Sequence, residues 1–444
     1  MSIGLQRLRE DTARVRQGAI DKGEDPAAVD AALALDIRRR ALLGESDRLK
    51  AERNTLSRQV GEAVRGGTSP QSAEVAGLRE RSGAISEGIE ALEAELAEVE
   101  RQLDELMLRI PNPADPDVPV GGEEANVIVR TWGDPAPHEE RAGAGDAAAA
   151  GGVWTRRPHW EVAESLGMLD LAAGAKITGS GFPLYRAAGA ALQRALIDFM
   201  VGTHTREHGM VEVWPPAVVN AASARGTGQI PDKEELMYVV TRDELYLVPT
   251  AEVPVTNIHR GEIIEADRLP IRYVAYTPCF RREAGAAGKD TRGILRVHQF
   301  DKVEMVCFER PQDSNAALEW LTERAEVILQ RLGLPYRVKL MATRDMGFVQ
   351  AKKYDLEVWA PGVEQWLEVS SVSNFRDYQA RRMEIRWRPE AGARPEILHT
   401  LNGSGVALAR TVAAILEVYQ QPDGTLAVPE ALRPYLGVER IARE

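Results

Sequence analysis

The chain has 444 residues, a formal net charge of -12 and two cysteines, Cys279 and Cys307, with no CxxC spacing. That length buries a large core in two or three domains. The acidic balance excludes a protein that coats nucleic acid nonspecifically through Lys and Arg, and the cysteine usage excludes a disulfide framework or a zinc knuckle.

The opening MSIGLQRLRED carries no apolar signal segment, and no run of about 18 apolar residues follows that could cross a bilayer. A soluble protein of the reducing cytoplasm is expected, with no membrane association. Leu35, Leu42, Leu49 and Leu56 then recur every seven residues. From Val75 to Ile110 the positions Val75, Leu78, Ser82, Ile85, Ile89, Leu92, Leu96, Val99, Leu103, Leu106 and Ile110 keep a 3-4 spacing in which only Ser82 is polar. This is the seam of a coiled coil. Gly66-Gly67-Thr68-Ser69-Pro70 separates the two patterns, and glycine and proline break a helix there. Two helices joined by so short a turn run antiparallel, so residues 1–110 read as a helical arm on the order of 50 Å long. The first helix, 30–65, carries eight basic and six acidic residues, and the second, 74–109, four and ten. Arg38, Arg39, Arg48, Lys50, Arg53 and Arg58 are therefore candidates for a polyanion, against the alternative of an ordinary solvated helix face.

IPNPADPDVPVG ends the second helix, and residues 111–156 read as a linker that includes the low-complexity insert AGAGDAAAAGG at 142–152. Residues 157–444 have the composition of a globular domain. Strand candidates are YLVPTAEV, IRYVAYTPCF, VEMVCFE, YDLEVWA and QWLEVSSVS, and helical patterns fall at 184–201, 314–331 and 406–419. Strands that follow one another without intervening helices predict an α+β domain on a mostly antiparallel sheet flanked by helices.

The glycine clusters are not nucleotide loops of the usual kinds. A GxxxxGK[ST] loop ending at Lys289 needs glycine at Glu283 and Ser or Thr at Asp290, and a GxGxxG at Gly179 or Gly226 needs glycine at Leu184 or Pro231. Chemistry-bearing residues gather instead in FRRE, RVHQF, EVSS and NGSGVALAR. Read as a strand, FRRE projects Arg281 and Glu283 from one face, an arginine for phosphate or carboxylate beside a carboxylate for an exocyclic amine. Phe300 offers a ring for a base, and Glu368 with Ser371 offers oxygen ligands for Mg2+. Taken singly, each has a plainer reading: a cross-strand ion pair, a core phenylalanine, a turn.

Together these segments resemble the three signature motifs of class II aminoacyl-tRNA synthetases. GMVEVWPP from Gly209, with Pro216, is similar to motif 1; FRRE followed by RVHQF to motif 2; and GVALAR ending at Arg410 to motif 3. The segments TAE, GTGQIP, DMGF, KYDLEVW, SNFRDYQARR and HTLNGSG, with the helical arm, resemble the seryl branch of that class over nearly the whole chain.

That resemblance implies ATP-dependent ligation of L-serine to tRNA(Ser) through seryl adenylate, with tRNA(Sec) as a second candidate, by a cytoplasmic homodimer that requires Mg2+ and meets its partner copy at motif 1, Pro216. It further implies that Arg281 holds the α-phosphate and serine carboxylate, Glu283 the adenine amine, Phe300 the adenine ring, and Arg296 and Arg410 the outer phosphates. Arg282, Val369 and Ser370 join the ATP set, and Glu368 and Ser371 take the metal. Thr250 and Glu252 hold serine near its amine and Glu304 and Ser404 at its hydroxyl, Ala251 and Asn402 join the serine set, and the arm and the 284–293 loop belong to tRNA. The chain departs from the family pattern at Val372, Arg344 and Ala409, none of which is assigned to catalysis. The alternatives are a synthetase-like ligase acting on a non-tRNA carrier, against which the arm counts, and a noncatalytic scaffold, against which Arg281, Glu304 and Arg410 count.

Overall fold

The computed structural model describes residues 3–141, 153–283 and 292–443. The insert at 142–152 and most of the 284–293 loop lie outside the described residues. Two compact units divide the chain, Met1–Pro111 and Asn112–Glu444.

The first unit is the expected antiparallel hairpin: α1, Ala27–Arg65, and α2, Ala73–Met107. The chain turns where the glycines stand, Gly67 at φ +93°, and the Ser72 hydroxyl accepts from Val75 N to start the second helix. Val75, Ile89, Val99 and Leu103 are buried along the seam with Leu42 and Leu56 opposite, each contributing about 1.5 to 3 kcal/mol when removed from water. Across the hairpin, Arg38 pairs with Glu95, Arg39 with Glu100 at 2.8 Å and Lys50 with Glu93 at 2.9 Å, while Arg48 lies 3.9 Å from Glu52 on its own helix. Among the described residues, Arg53 and Arg58 have no such partner.

The second unit is built on an eight-stranded sheet. Its strands in chain order are β1 Val127–Trp132, β2 Val211–Glu212, β3 Ile271–Phe280, β4 Gln299–Glu309, β5 Tyr336–Leu340, β6 Lys352–Ala360, β7 Gln365–Arg376 and β8 His399–Ala407. The spatial order is β1-β5-β6-β7-β8-β4-β3-β2, antiparallel throughout except for β2 beside β3. Further helices are α3 His159–Ser165, α4 Ala187–Arg206, α5 Glu252–Thr256, α6 Ser314–Arg331 and α7 Leu408–Tyr419. Residues 111–156, expected as a linker, thus supply the edge strand β1. No helix among the described residues is long and apolar enough to cross a membrane.

Strand alternation decides which side chains reach the core and which reach the opposite face. On β4, Val303, Met305 and Cys307 enter the large core formed with α4, α6 and α7. Val306 and Phe308 face a second, smaller cluster, and Lys302 and Glu304 share their side of the sheet. The NGSG segment, read singly as a turn, lies inside β8. Gly403 fits closely there, since an added Cβ would meet the Val372 methyls on β7 at 3.1 Å.

Two local expectations are corrected. Only the first two residues of YLVPTAEV are strand, at the end of Leu245–Leu247; the Thr250 hydroxyl accepts from Glu252 N at 3.2 Å and turns the chain into α5. The FRRE strand stops at Phe280, and Glu283 has φ +49°, so Arg281 and Glu283 are not brought together by strand alternation.

Candidate active site

A cleft of about 500 Å3 opens on the sheet face that carries Lys302 and Glu304. Register places its residues side by side: Glu304 lies opposite Ser404, Val306 opposite Asn402, and Asp355 opposite Ser371.

At one end of the cleft is a buried polar network. Asn402 Nδ2 donates to Glu252 Oε2 at 3.0 Å and to Glu304 Oε1 at 2.8 Å, and Ser404 Oγ donates to Glu304 Oε2 at 3.1 Å. Lys302 Nζ lies 2.7 Å from both Thr250 Oγ1 and Glu304 Oε2. Gln379 Nε2 donates to Glu252 Oε1 at 2.7 Å, and its own Oε1 accepts from Thr400. Glu304 is 1 % exposed, so this carboxylate depends on these donors rather than on water. Burial, and secondarily repulsion from Glu304, pushes the Glu252 carboxyl up to about 7. Asn402 Oδ1 is buried without a hydrogen-bond partner among the described residues, an acceptor set for an N–H or O–H donor.

The other end is cationic. The Arg281 guanidinium lies 5.2 Å from the centre of the Phe300 ring, and Arg296 Nη1 donates to Glu283 Oε2 at 3.0 Å. Arg410, in the first turn of α7, donates to the backbone oxygens of Leu295 at 3.1 Å and Glu368 at 2.9 Å. Ser371 Oγ donates to Glu368 Oε1 at 3.2 Å and also meets Asp355, which Lys353 pairs at 3.1 Å. Burial raises the Asp355 carboxyl to about 7. For Glu368 the cost of desolvation is outweighed by Lys353, Arg410 and Arg281, which hold it below the usual carboxylate range. The ligand atoms that Glu368 and Ser371 offer are oxygens, a donor type that suits Mg2+ rather than zinc, and they stand beside the Lys353 and Arg410 cations.

Fourteen of the residues named from sequence line this one cleft: Thr250, Glu252, Arg281, Glu283, Arg296, Phe300, Glu304, Glu368, Val369, Ser370, Ser371, Asn402, Ser404 and Arg410. Ala251 is fully buried beside it, and Arg282 Nη1 turns to the Glu235 carbonyl at 3.2 Å; neither is part of the lining. Pro216 follows β2 on an exposed apolar surface with Val211 and Trp214, which is 77 % exposed. Sequence reading missed Lys302, Lys353, Asp355 and Gln379. Lys302 and Asp355 were open to detection, since each sits two residues from, or directly across from, a residue already singled out.

A family model described as tRNA synthetase class II core domain (G, H, P, S and T) matches residues 238–419, and one described as seryl-tRNA synthetase N-terminal domain matches residues 3–114. The chain is 50 % identical over 444 residues to the serine--tRNA ligase of Thermomicrobium roseum, covering 100 % of this chain and 95 % of that one. It is 49 % identical to that of Gemmatimonas aurantiaca, over 98 % of each. Seryl-tRNA synthetase from Pyrococcus horikoshii, solved in complex with ATP, superposes with a TM-score of 0.91 at 37 % identity over 100 % of both chains. The cytoplasmic serine-tRNA ligase of Naegleria fowleri, in complex with AMP, does so with a TM-score of 0.84 at 29 % identity over 97 % and 96 %.

Proposed function

We propose, for a chain that belongs to the seryl-tRNA synthetase family and ligates serine to tRNA in an ATP-dependent reaction, a division of labour between the two ends of its cleft. The buried carboxylate end takes serine. Glu252, Thr250 and Asn402 receive the ammonium; Glu304 and Ser404 read the hydroxyl; Arg281 steers the carboxylate. The cationic end takes ATP, with Phe300 under the adenine, Glu283 at its amine, Arg281 at the α-phosphate, and Arg296 and Arg410 at the outer phosphates. Val369 and Ser370 frame the nucleotide. Glu368 and Ser371 would hold Mg2+, which when bound neutralises phosphate charge. The observation that carries this reading is Glu304, a carboxylate buried at the floor of the cleft and held by Lys302, Ser404 and Asn402.

The chemistry requires no side-chain nucleophile. The ionised serine carboxylate attacks the α-phosphorus, a carboxylate-to-phosphorus bond forms, and pyrophosphate departs. Catalysis is then positioning and charge neutralisation by Arg281, Arg296 and Arg410. In the second step a terminal ribose hydroxyl of tRNA takes the seryl group and AMP leaves. The cognate RNAs are tRNA(Ser) and, as a second acceptor, tRNA(Sec), reached with the help of α1 and α2. The enzyme works in the cytoplasm as a homodimer joined at motif 1, supported by the exposed Val211, Trp214 and Pro216 beside β2. Light scattering should return twice the mass of one chain; a single-chain mass contradicts that assembly.

Glu252 gives a pH dependence. Burial raises its carboxyl to about 7, so above that pH it receives an ammonium directly. Below it, serine must displace a proton, and KM for serine should rise by up to about tenfold per pH unit. Measured between about pH 5.5 and 8, that rise should disappear in Glu252→Gln. A flat profile in the unmodified enzyme removes Glu252 from the ammonium site. The function as a whole is tested by pyrophosphate exchange into ATP, expected with serine and Mg2+.

A further inference from the structure

We propose that His159 and Glu417, a buried pair outside the cleft, form a positioning device that fixes the backbone carrying Arg296. The proposal rests on the reading of Arg296 as a phosphate ligand. Both side chains are fully buried. Glu417 Oε1 accepts from His159 N at 2.9 Å and from His159 Nδ1 at 2.8 Å; Oε2 accepts from Gly362 N at 2.8 Å and Val363 N at 3.1 Å. All four partners are N–H donors, so the carboxylate serves purely as an acceptor.

That arrangement assigns the imidazole tautomer. With Nδ1–H committed to Glu417, Nε2 carries the lone pair, and it accepts from Ile294 N at 3.3 Å. The backbone rests directly on this ring: Gly293 has φ +73°, and a Cβ added there would stand 2.2 Å from His159 Nε2. Arg292 lies over the neighbouring Trp160 ring at 5.2 Å. Arg292, Gly293 and Ile294 are therefore all seated on His159 and Trp160, just before Leu295 and Arg296.

One helix closes the arrangement from both ends. Arg410 begins α7 and bonds the Leu295 carbonyl; Glu417, two turns later, reaches Ile294 through His159. The segment 294–296 is thus held by the helix that supplies the second phosphate arginine. Neither His159 nor Glu417 lines the cleft. Their effect on ATP is through the backbone, which makes them positioning residues.

Two substitutions separate this role from simple packing. Asparagine at 159 places its amide nitrogen near the Nδ1 position, keeping the Glu417 bond and losing the acceptor for Ile294. Glutamine reaches the Nε2 position and retains that acceptor. Loss of the acceptor leaves a buried N–H unpaired, so in serine-dependent exchange His159→Asn should raise KM for ATP by about tenfold with KM for serine within about twofold. The amide protons of residues 292–297 should exchange with deuterium about tenfold faster in this variant than in the unmodified enzyme. His159→Gln, which keeps the acceptor for Ile294 but gives up the ring bond to Glu417, should fall between the unmodified enzyme and His159→Asn in both measurements. The proposal is overturned if the two variants behave alike, either both unchanged or both impaired in step with their thermal stability. Should His159→Asn fail to fold, Gly293→Ala takes its place, and an unchanged KM for ATP in that variant overturns the proposal. Absence of serine-dependent exchange in the unmodified enzyme is instead a failure of the reading of the cleft, and the deuterium measurement still decides the pairing.

Discussion

Excising residues 30–108 should lower tRNA charging by a factor on the order of 1,000 and leave seryl-adenylate formation within about threefold of the full chain. Every residue lining the cleft falls between Gly228 and Arg410, inside the second unit, whose largest core draws on residues beyond 160. The chemistry of activation thus owes nothing to the hairpin. Its basic residues are a different matter from what composition alone implies. Arg38, Arg39 and Lys50 are held by Glu95, Glu100 and Glu93, so phosphate contact at these positions exchanges one anion for another. Arg53 and Arg58 have no such competitor and should account for more of the salt dependence, each phosphate contact steepening the log-log slope by roughly 0.7 to 0.9. Charging of a tRNA(Ser) transcript measured on the full and shortened chains over a salt series checks this. Charging that survives the excision, or an affinity indifferent to salt, contradicts an RNA role for the arm.

The second large effect belongs to Glu304. Glu304→Ala should reduce kcat/KM for serine in the exchange reaction by about 1,000-fold or more, with KM for ATP within about threefold. The side chain is buried, and its removal leaves Lys302, Ser404 and Asn402 with unmet hydrogen bonds at about 1 to 3 kcal/mol each. Discrimination should fall with it. Alanine lacks the hydroxyl that Glu304 and Ser404 are proposed to read, so the unmodified enzyme should refuse it strongly, and in the variant the gap between serine and alanine should narrow. Threonine keeps the hydroxyl and is excluded by shape, where one added methyl group is worth only about 1 to 3 kcal/mol, so it should compete better than alanine. An unchanged preference for serine over alanine in Glu304→Ala, or in the nearly isosteric Glu304→Gln, places the hydroxyl reader elsewhere.

The helical hairpin was fully legible because its signal is one-dimensional: a 3-4 apolar spacing on each side of a glycine turn has only one antiparallel solution. Strands β3 and β6 and helix α6 were legible for the same reason, their apolar runs ending where turn residues begin. Glu283 was misread because alternation holds only while a strand lasts, and the chain leaves β3 at Phe280 and turns through a positive φ. NGSG is a strand in spite of its turn-like composition because it pairs with β4 on one side and β7 on the other, with Gly403 seated closely on Val372. The network around Glu252 was illegible in detail. Gln379, on the short helix Tyr378–Met383, and Asn402, on β8, come from opposite ends of a 24-residue span and meet Glu252 at the start of α5 only in the folded chain, which no local pattern encodes. His159 and Glu417 are 258 residues apart, and nothing near either marks the other.

The proposed serine-activating site stands on the buried Glu304 and the network that holds it. Amino-acid-dependent exchange of labelled pyrophosphate into ATP tests it most directly, run with the full chain, Mg2+ and each of the protein amino acids in turn. Serine should drive exchange, threonine should follow at a level lower by a factor on the order of 10 to 200, and alanine and glycine should lie lower still. Exchange with alanine or glycine as strong as with serine would contradict the account, because the hydroxyl would then play no part in what the cleft selects.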